Sequence, residues 1–237
     1  MGEALIKVGI SSCLLGEHVR YNGGHKLSPL CTEELARLFE FVPTCPEAGA
    51  GLGVPRPPVR LIGAADAPRA VRIDDTSVDV TGALQDYAAA RIPELGDLCG
   101  YIFITNSPSC GLFGVKLYRA DGTLQQETSR GIFAAALTRA YPLLPVEEEG
   151  RLHDPMLREN FVTRVFAWHN WRELQRTGLS AAALTEFHAR YTDVLMARNP
   201  DGYQHLGRML ANAGRHDARE LGARYFAALM EALQPGS

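Results

Sequence analysis

The sequence lacks any apolar run approaching the roughly 20 residues a membrane-spanning helix needs. Its start, MGEALIKVGISS, has neither the basic opening nor the cleavage site of a secretory signal. Together these absences lead us to expect a cytoplasmic protein with no membrane partner. Walker and dinucleotide glycine spacings are also missing, so the run GAGLGVPRPP at 49–58 is expected to be an ordered loop that does not cradle phosphates. No two cysteines stand two to four residues apart, which removes the usual zinc pairs, and the ferredoxin and radical-type cysteine runs are absent too. A net charge of −3 argues against a globally basic nucleic-acid binder. The charge is uneven, however. Residues 151–237 hold 11 Arg or Lys against 9 Asp or Glu, residues 1–150 hold 13 against 18, and five of the seven His lie in the C-terminal part. Any RNA contact is therefore expected there.

What is present is a change of period along the chain. Apolar runs at 5–11, 41–44, 101–105, 115–118 and 143–146 read as strands, with a weaker edge strand at 71–73. Between them, helices are expected after Ser28-Pro29, with Leu30, Leu35, Leu38 and Phe39 on one face, at 82–92 capped by Thr81, and at 131–140. Alternating strands and helices predict an α/β domain, a mostly parallel sheet with helices on both faces, over residues 1–147. The polar run PVEEEG at 145–150 reads as the boundary. Beyond it, residues 148–237 have helical periodicity throughout. Leu157, Phe161, Val165, Trp168 and Trp171 mark one helix. A second starts at Ser180 and ends at Asn199-Pro200, a third covers about 203–210, and a fourth covers about 216–233. A smaller all-α domain follows from this, in which His188 and the two tryptophans are expected to be core or core-edge residues and the arginines a solvated face.

Five cysteines is an odd number, so reduced thiols with metal-binding or catalytic duties are expected ahead of a disulfide framework. Three of them, Cys13, Cys45 and Cys110, follow predicted strands beside Ser, Pro or Gly, and in parallel sheets ligands sit at the carboxyl ends of strands. Cys31 and Cys99 lack that setting and read as structural. Soft thiolates select zinc, Cu(I) or iron-sulfur clusters. Three isolated ligands on separate strands suit a compact cluster better than a zinc site.

These residues resemble a known family. Ser-Ser-Cys-Leu-Leu-Gly at 11–16 with Val-Arg-Tyr-Asn-Gly-Gly at 19–24, Cys-Pro-Glu at 45–47 with the loop at 51–58, and Ser-Pro-Ser-Cys-Gly at 107–111 look like the thiouracil desulfidases. The helical half, with Phe187-His188 and Leu195-Met196-Ala197 before Asn199-Pro200, is similar to the YbgA-type domain and is expected to be incomplete or divergent. The resemblance implies a 4Fe-4S cluster on Cys13, Cys45 and Cys110. It also implies Glu47 as general acid or base, Ser107 as a catalytic hydroxyl, and Ser12, Arg20, Tyr21, Arg56 and Ser109 as substrate contacts. The implied reaction is non-redox removal of sulfur from 4-thiouridine in tRNA, or from free thiouracil. Similar two-domain sequences have an acidic residue where this chain has Gly49, and Lys-Lys-Asp where it has Ile104-Thr105-Asn106. One alternative is an iron-sulfur binding or redox-sensing module without turnover. A zinc hydrolase is a further one.

Overall fold

The structure, a computed structural model, describes residues 6–211 and 217–234. Leu5, expected to open the first strand, and His216, expected to open the last helix, lie outside the described residues. The chain divides after Asp154 into two compact units.

The first unit holds eight strands among the described residues, in two sheets. Strands β1 (Ile6–Ser11), β2 (Phe39–Thr44), β5 (Tyr101–Phe103) and β8 (Val146–Glu148) form a parallel sheet of order β2-β1-β5-β8. The β1/β2 ladder pairs every residue from Ile6↔Phe39 to Ser11↔Thr44, and Gly9 pairs with Tyr101 across the β1/β5 seam. Val8, Ile10, Tyr101, Ile102 and Phe103 are buried, giving the near-continuous apolar strands of a covered parallel sheet. The chain leaves β1 to one side for β2 and later to the other for β5 and β8. The crevice at the carboxyl end of β1 and β5 is therefore the switch point where ligands bind in such sheets.

Strands β3 (Val59–Gly63), β4 (Pro68–Arg72), β6 (Val115–Tyr118) and β7 (Leu124–Ser129) make a second sheet of order β4-β3-β6-β7. Its β3/β6 pair is parallel, and β3/β4 and β6/β7 are antiparallel hairpins. Parallel pairing still dominates overall, as the alternation of strands and helices predicts. The second sheet was not foreseen. β3 starts one residue beyond the Gly/Pro run, and Leu-Gln-Gln-Glu-Thr-Ser in β7 is polar because that edge strand buries little.

Helices α1 (Pro46–Gly49), α2 (Thr81–Glu94) and α3 (Ile132–Ala140) complete this unit, and α2 packs on α3. The helix expected after Ser28-Pro29 is instead a π-turn at Leu30–Glu34 followed by a 3-10 turn at Leu35–Arg37. Pairing of Phe39 with Ile6 draws that residue into β2 and leaves too few positions for a regular helix. Thr81 lies inside the first turn of α2 and accepts the Ala70 N–H, while Asp79 accepts the Thr81 N–H. The run read as a linker has its three glutamates buried, and each is hydrogen-bonded.

The second unit is helical: α4 (Pro155–Thr177), α5 (Ala181–Ala189), α6 (Thr192–Arg198), α7 (Pro200–Ala211) and α8 (Ala218–Ala232). Ser180 caps α5 by accepting the Ala183 N–H, as expected. The helix expected to run on to Asn199 breaks after Ala189 into α5 and α6. Trp171 stacks on Phe226 with ring centroids 4.8 Å apart, and buried His188 meets the Tyr225 hydroxyl at 2.9 Å while stacking on Tyr203. Burial holds the His188 pKa below its ordinary value. It is a core histidine of an aromatic cluster. Among the described residues, no helix is long and apolar enough to cross a membrane.

Candidate functional site

Each strand of the switch point ends in a loop carrying one cysteine. β1 runs into a 3-10 turn at Ser12–Leu15, closed by Gly16 with φ of 90°, which turns the chain at once and leaves Cys13 at the sheet edge. β2 ends at Thr44, and Cys45 is the extended residue before α1, whose first position is Pro46. After β5 the chain takes a tight path in which Asn106 is left-handed, φ 57°, a conformation Asn tolerates better than most residues. Ser107 then accepts the N–H groups of Ser109 (3.2 Å) and Cys110 (3.0 Å), fixing the turn that presents Cys110. The same turn needs glycine behind it. A Cβ on Gly131 would lie 2.5 Å from the Ser109 carbonyl carbon and 2.8 Å from the Cys110 nitrogen.

All three cysteines line one cavity of about 200 Å3, together with Ser11, Ser12, Arg20, Tyr21, Thr44, Glu47, Arg56 and Thr105 to Pro108 among others. Cys13 and Cys110 are buried and Cys45 is half-buried. Burial pushes the Cys13 thiol up to about 11, with Cys45 adding to the effect and Arg20 and Lys26 opposing it. Burial raises Cys45 too, and it raises Cys110 well above the ordinary thiol range, with Cys45, Glu47 and Cys13 as further causes. Cys13 and Cys110 therefore each feel another thiol and Cys45 feels Glu47, and deprotonating all three needs a strong electrophile among them. The thiols do not converge on one point. Among the described residues, no three His, Cys, Asp or Glu side chains could hold a single metal ion. Cys31 and Cys99 are buried elsewhere and do not line the cavity.

Glu47 stands at the wall of the same cavity. Its Oε2 receives Arg56 Nε at 2.8 Å and Nη2 at 2.7 Å, and its Oε1 accepts from Ser109 Oγ at 2.9 Å. The Glu47 and Arg56 side chains are 12% and 4% exposed, so this is a nearly dry, forked ion pair. Arg56 also donates through Nη1 to the Val19 carbonyl at 3.0 Å and the Gly53 carbonyl at 2.9 Å. These bonds join the loop after Cys13, the Gly/Pro loop and the acid after Cys45.

Two expected substrate contacts thus change role. Arg56 lines the cavity, and four of its five N–H groups go to Glu47 and two carbonyls, which leaves one Nη2 hydrogen. Ser109 is fully buried outside the cavity and faces Glu47. Both are positioning residues. Ser12 lines the cavity wall, whereas Arg20 and Tyr21 stand at its mouth, Arg20 lying 5.8 Å above the Tyr21 ring. Arg60, which follows the same Gly/Pro loop, lies in β3 over Tyr118 and does not line the cavity. Gly49 touches Tyr87 of α2, whose ring would stand 2.2 Å from a Cβ there. A side chain at 49 would require the Tyr87 ring to move aside.

Some supports escaped the sequence reading. Glu148 Oε1 accepts the N–H groups of Leu112 and Phe113 (2.8 and 3.1 Å), bracing the loop after Cys110. Glu149 accepts from Ser28 Oγ at 2.7 Å, and the Ser28 and Lys26 amides bond back to Leu14 and Cys13. Nothing in Glu-Glu-Glu distinguishes a buried brace from a solvated linker. Ser11 and Thr44, by contrast, each end a strand beside a site residue, and that was a usable signal.

Comparison with known proteins agrees with this geometry. Residues 8–149 match the family model described as 2-thiouracil desulfurase, and residues 194–236 match one described as a protein of unknown function, DUF1722. The uncharacterized protein YbbK of Bacillus subtilis (strain 168) is 31% identical over 140 residues, covering 55% of this chain and 89% of YbbK. The solved structure of the 4Fe-4S-dependent thiouracil desulfidase TudS is similar with a TM-score of 0.50 and 28% identity. It covers 65% of this chain and 97% of TudS. With its three cysteine loops, Glu47 and the whole cavity inside residues 8–149, the chain belongs to the 2-thiouracil desulfurase family.

Proposed function

We propose that this protein is a cytoplasmic hydrolytic desulfidase that uses a 4Fe-4S cluster held by Cys13, Cys45 and Cys110. We assign 4-thiouridine in tRNA as its substrate, with free thiouracil as a smaller ligand of the same site. The observation that carries this reading is the meeting of three separately delivered thiols and a clamped carboxylate around one cavity. The donor set fits the group: three soft thiols from separate loops line one cavity, with the buried Thr44 hydroxyl beside them. When bound, the cluster supplies a soft Lewis-acidic iron that polarises the C=S bond.

The protein's own groups manage water and protons. Oε2 of Glu47 is held by Arg56, whereas Oε1 takes only the Ser109 bond and keeps a lone pair toward the cavity for a proton from water. The Ser107 oxygen already accepts two backbone N–H groups, which leaves its own proton free to donate to the substrate ring. In the net reaction a C–O bond forms to the ring carbon, the C–S bond breaks, and sulfur leaves with both protons of the water. No electrons are gained or lost. Exposed Tyr21, with Arg20 above it, suits a flat base attached to a charged backbone at the mouth. The 11 basic residues of positions 151–237 against 9 acidic ones support contact with RNA there.

Sulfide release by anaerobically reconstituted protein tests the assignment, using tRNA containing 4-thiouridine and, separately, free 4-thiouracil. Release from both is expected. Release from the free base alone would remove the tRNA assignment. A protein loaded with iron that releases sulfide from neither would be a binding or sensing module.

A further inference from the structure

The core beside the cysteines holds two hydroxyls, of Thr44 and Tyr101, that neighbour each other and find no well-formed hydrogen bond elsewhere in the protein. Among the described residues of the first unit, only three buried side-chain polar atoms lack a hydrogen-bond partner: Thr44 Oγ1, Tyr101 OH and Arg60 Nε. Two of the three lie at the cysteine edge. Thr44 lines the cavity next to Cys45. Tyr101 is completely buried outside the cavity lining, where burial holds its pKa well above the ordinary phenol value, Cys110 and Cys45 add to the rise and the Thr44 hydroxyl opposes it.

Tyr101 occupies a place made for it. Its ring lies across Gly9 of β1, where a Cβ would come within 2.2 Å of Cδ2, and it packs on Phe103 at 4.3 Å. Glycine inside a central strand weakens the strand, and a phenol in a dry core with only another under-bonded hydroxyl beside it is costly where phenylalanine would fill the same volume. Neither choice helps the apo fold. Both make sense if the hydroxyl meets an acceptor that arrives later.

We propose that Tyr101 and Thr44 are the hydrogen-bond donors to the sulfur atoms of the bound cluster, Tyr101 toward the Cys110 thiolate and Thr44 into the cavity. The inference rests on the cluster reading above. Ligation turns three neutral buried thiols into thiolates and so places negative charge where the protein otherwise has little to answer it. Ser11 contributes a donor to Cys110 already, while its oxygen accepts the Ile104 N–H. Tyr101 and Thr44 supply what remains. Donors to cluster sulfur stabilise the more negative, reduced state and so raise the reduction potential.

The test uses Tyr101→Phe and Thr44→Val, which remove a hydroxyl and keep the shape. In cluster-loaded protein prepared without oxygen, each variant should make reduction about tenfold less favourable, a shift of about 59 mV to more negative potential for one electron. Each should also lose iron to a chelator faster. In apo protein the same variants should melt at the wild-type temperature or above it. Variants that load iron to the wild-type level with unchanged potential would overturn this proposal alone. So would variants that destabilise apo and loaded protein equally, because that is a packing role. A wild-type protein that takes up no iron would overturn the cluster reading, and this proposal with it.

Discussion

Replacing Glu47 by glutamine removes a charge and a base while keeping the outline of the side chain, so it separates catalysis from architecture. In the structure Oε2 receives two Arg56 bonds of 2.8 and 2.7 Å, and Oε1 receives Ser109 at 2.9 Å. A glutamine can keep its carbonyl on Arg56 and offer its amide to the Ser109 oxygen, so all three contacts persist in weaker form. Hydrogen bonds to charged groups are worth about 1.5–3 kcal/mol against about 0.5–1.5 for neutral ones. Three of them weakened by about 1 kcal/mol each predict a stability loss of about 3 kcal/mol. Glu47→Ala is harsher, because it strands a buried guanidinium, and should cost about 3–5 kcal/mol. Loss of a positioned general base predicts a fall of about 10²- to 10⁴-fold in the rate of sulfide release. The assay is single-turnover sulfide release by protein whose iron content has been matched to wild type, with thermal melting alongside. A Glu47→Gln protein that melts lower, holds full iron and still releases sulfide within about threefold of wild type would refute Glu47 as the proton-transfer group.

Other outcomes follow from the same geometry. Arg56→Lys keeps the charge but loses the fork, so iron content should hold while sulfide release falls by about 10²-fold through misplacement of Glu47; this is read by comparing its rate with Glu47→Gln and with the double variant. Gly131→Ala drives a methyl into the Ser109–Cys110 backbone, and reconstituted protein should contain much less iron although the three cysteines are intact. Glu148→Ala leaves the buried Leu112 N–H and the part-buried Phe113 N–H without their acceptor, which should lower stability by about 1–3 kcal/mol and speed iron loss, measured by denaturant melting and chelator challenge. The thiols supply a pH dependence. The native Cys13 pKa stands near 11 against 9.0 for an ordinary thiol, so between those values the unfolded chain has lost a proton that the native apo protein keeps. Apo stability should therefore be level below pH 9 and fall as pH rises toward 11, whereas cluster uptake, which releases those protons, should improve as pH rises.

Much of the site was legible because its chemistry is local in sequence. Cys13, Cys45 and Cys110 each follow an apolar run that ends at a sheet edge, and Glu47 lies two residues past a cysteine, so the strand pattern alone brought them near one another. The supports were not legible. Arg56 is nine residues from Glu47 across a loop whose path the sequence does not specify, and its role as clamp appears only when the Val19 and Gly53 carbonyls are seen to fix it. Glu148 and Glu149 read as solvated because burial of a carboxylate depends on donors from distant segments. The fold shows the same division: strong apolar strands were placed within a few residues, while β7, a polar edge, and the irregular turns at 30–37 depend on pairing that local propensity does not encode.

The bracing by β8 also sets an order of events. The Cys110 loop is held by Glu148 and the segment behind Cys13 by Glu149, so both depend on residues made after all three cysteines. A nascent chain that has exposed residues 1–120 owns every ligand and lacks the frame that holds them apart. On the proposed ligation, cluster insertion is expected to follow the emergence of residue 149 and the docking of β8 beside β5, and a chain stalled earlier would present three unbraced thiols to any metal that reached them.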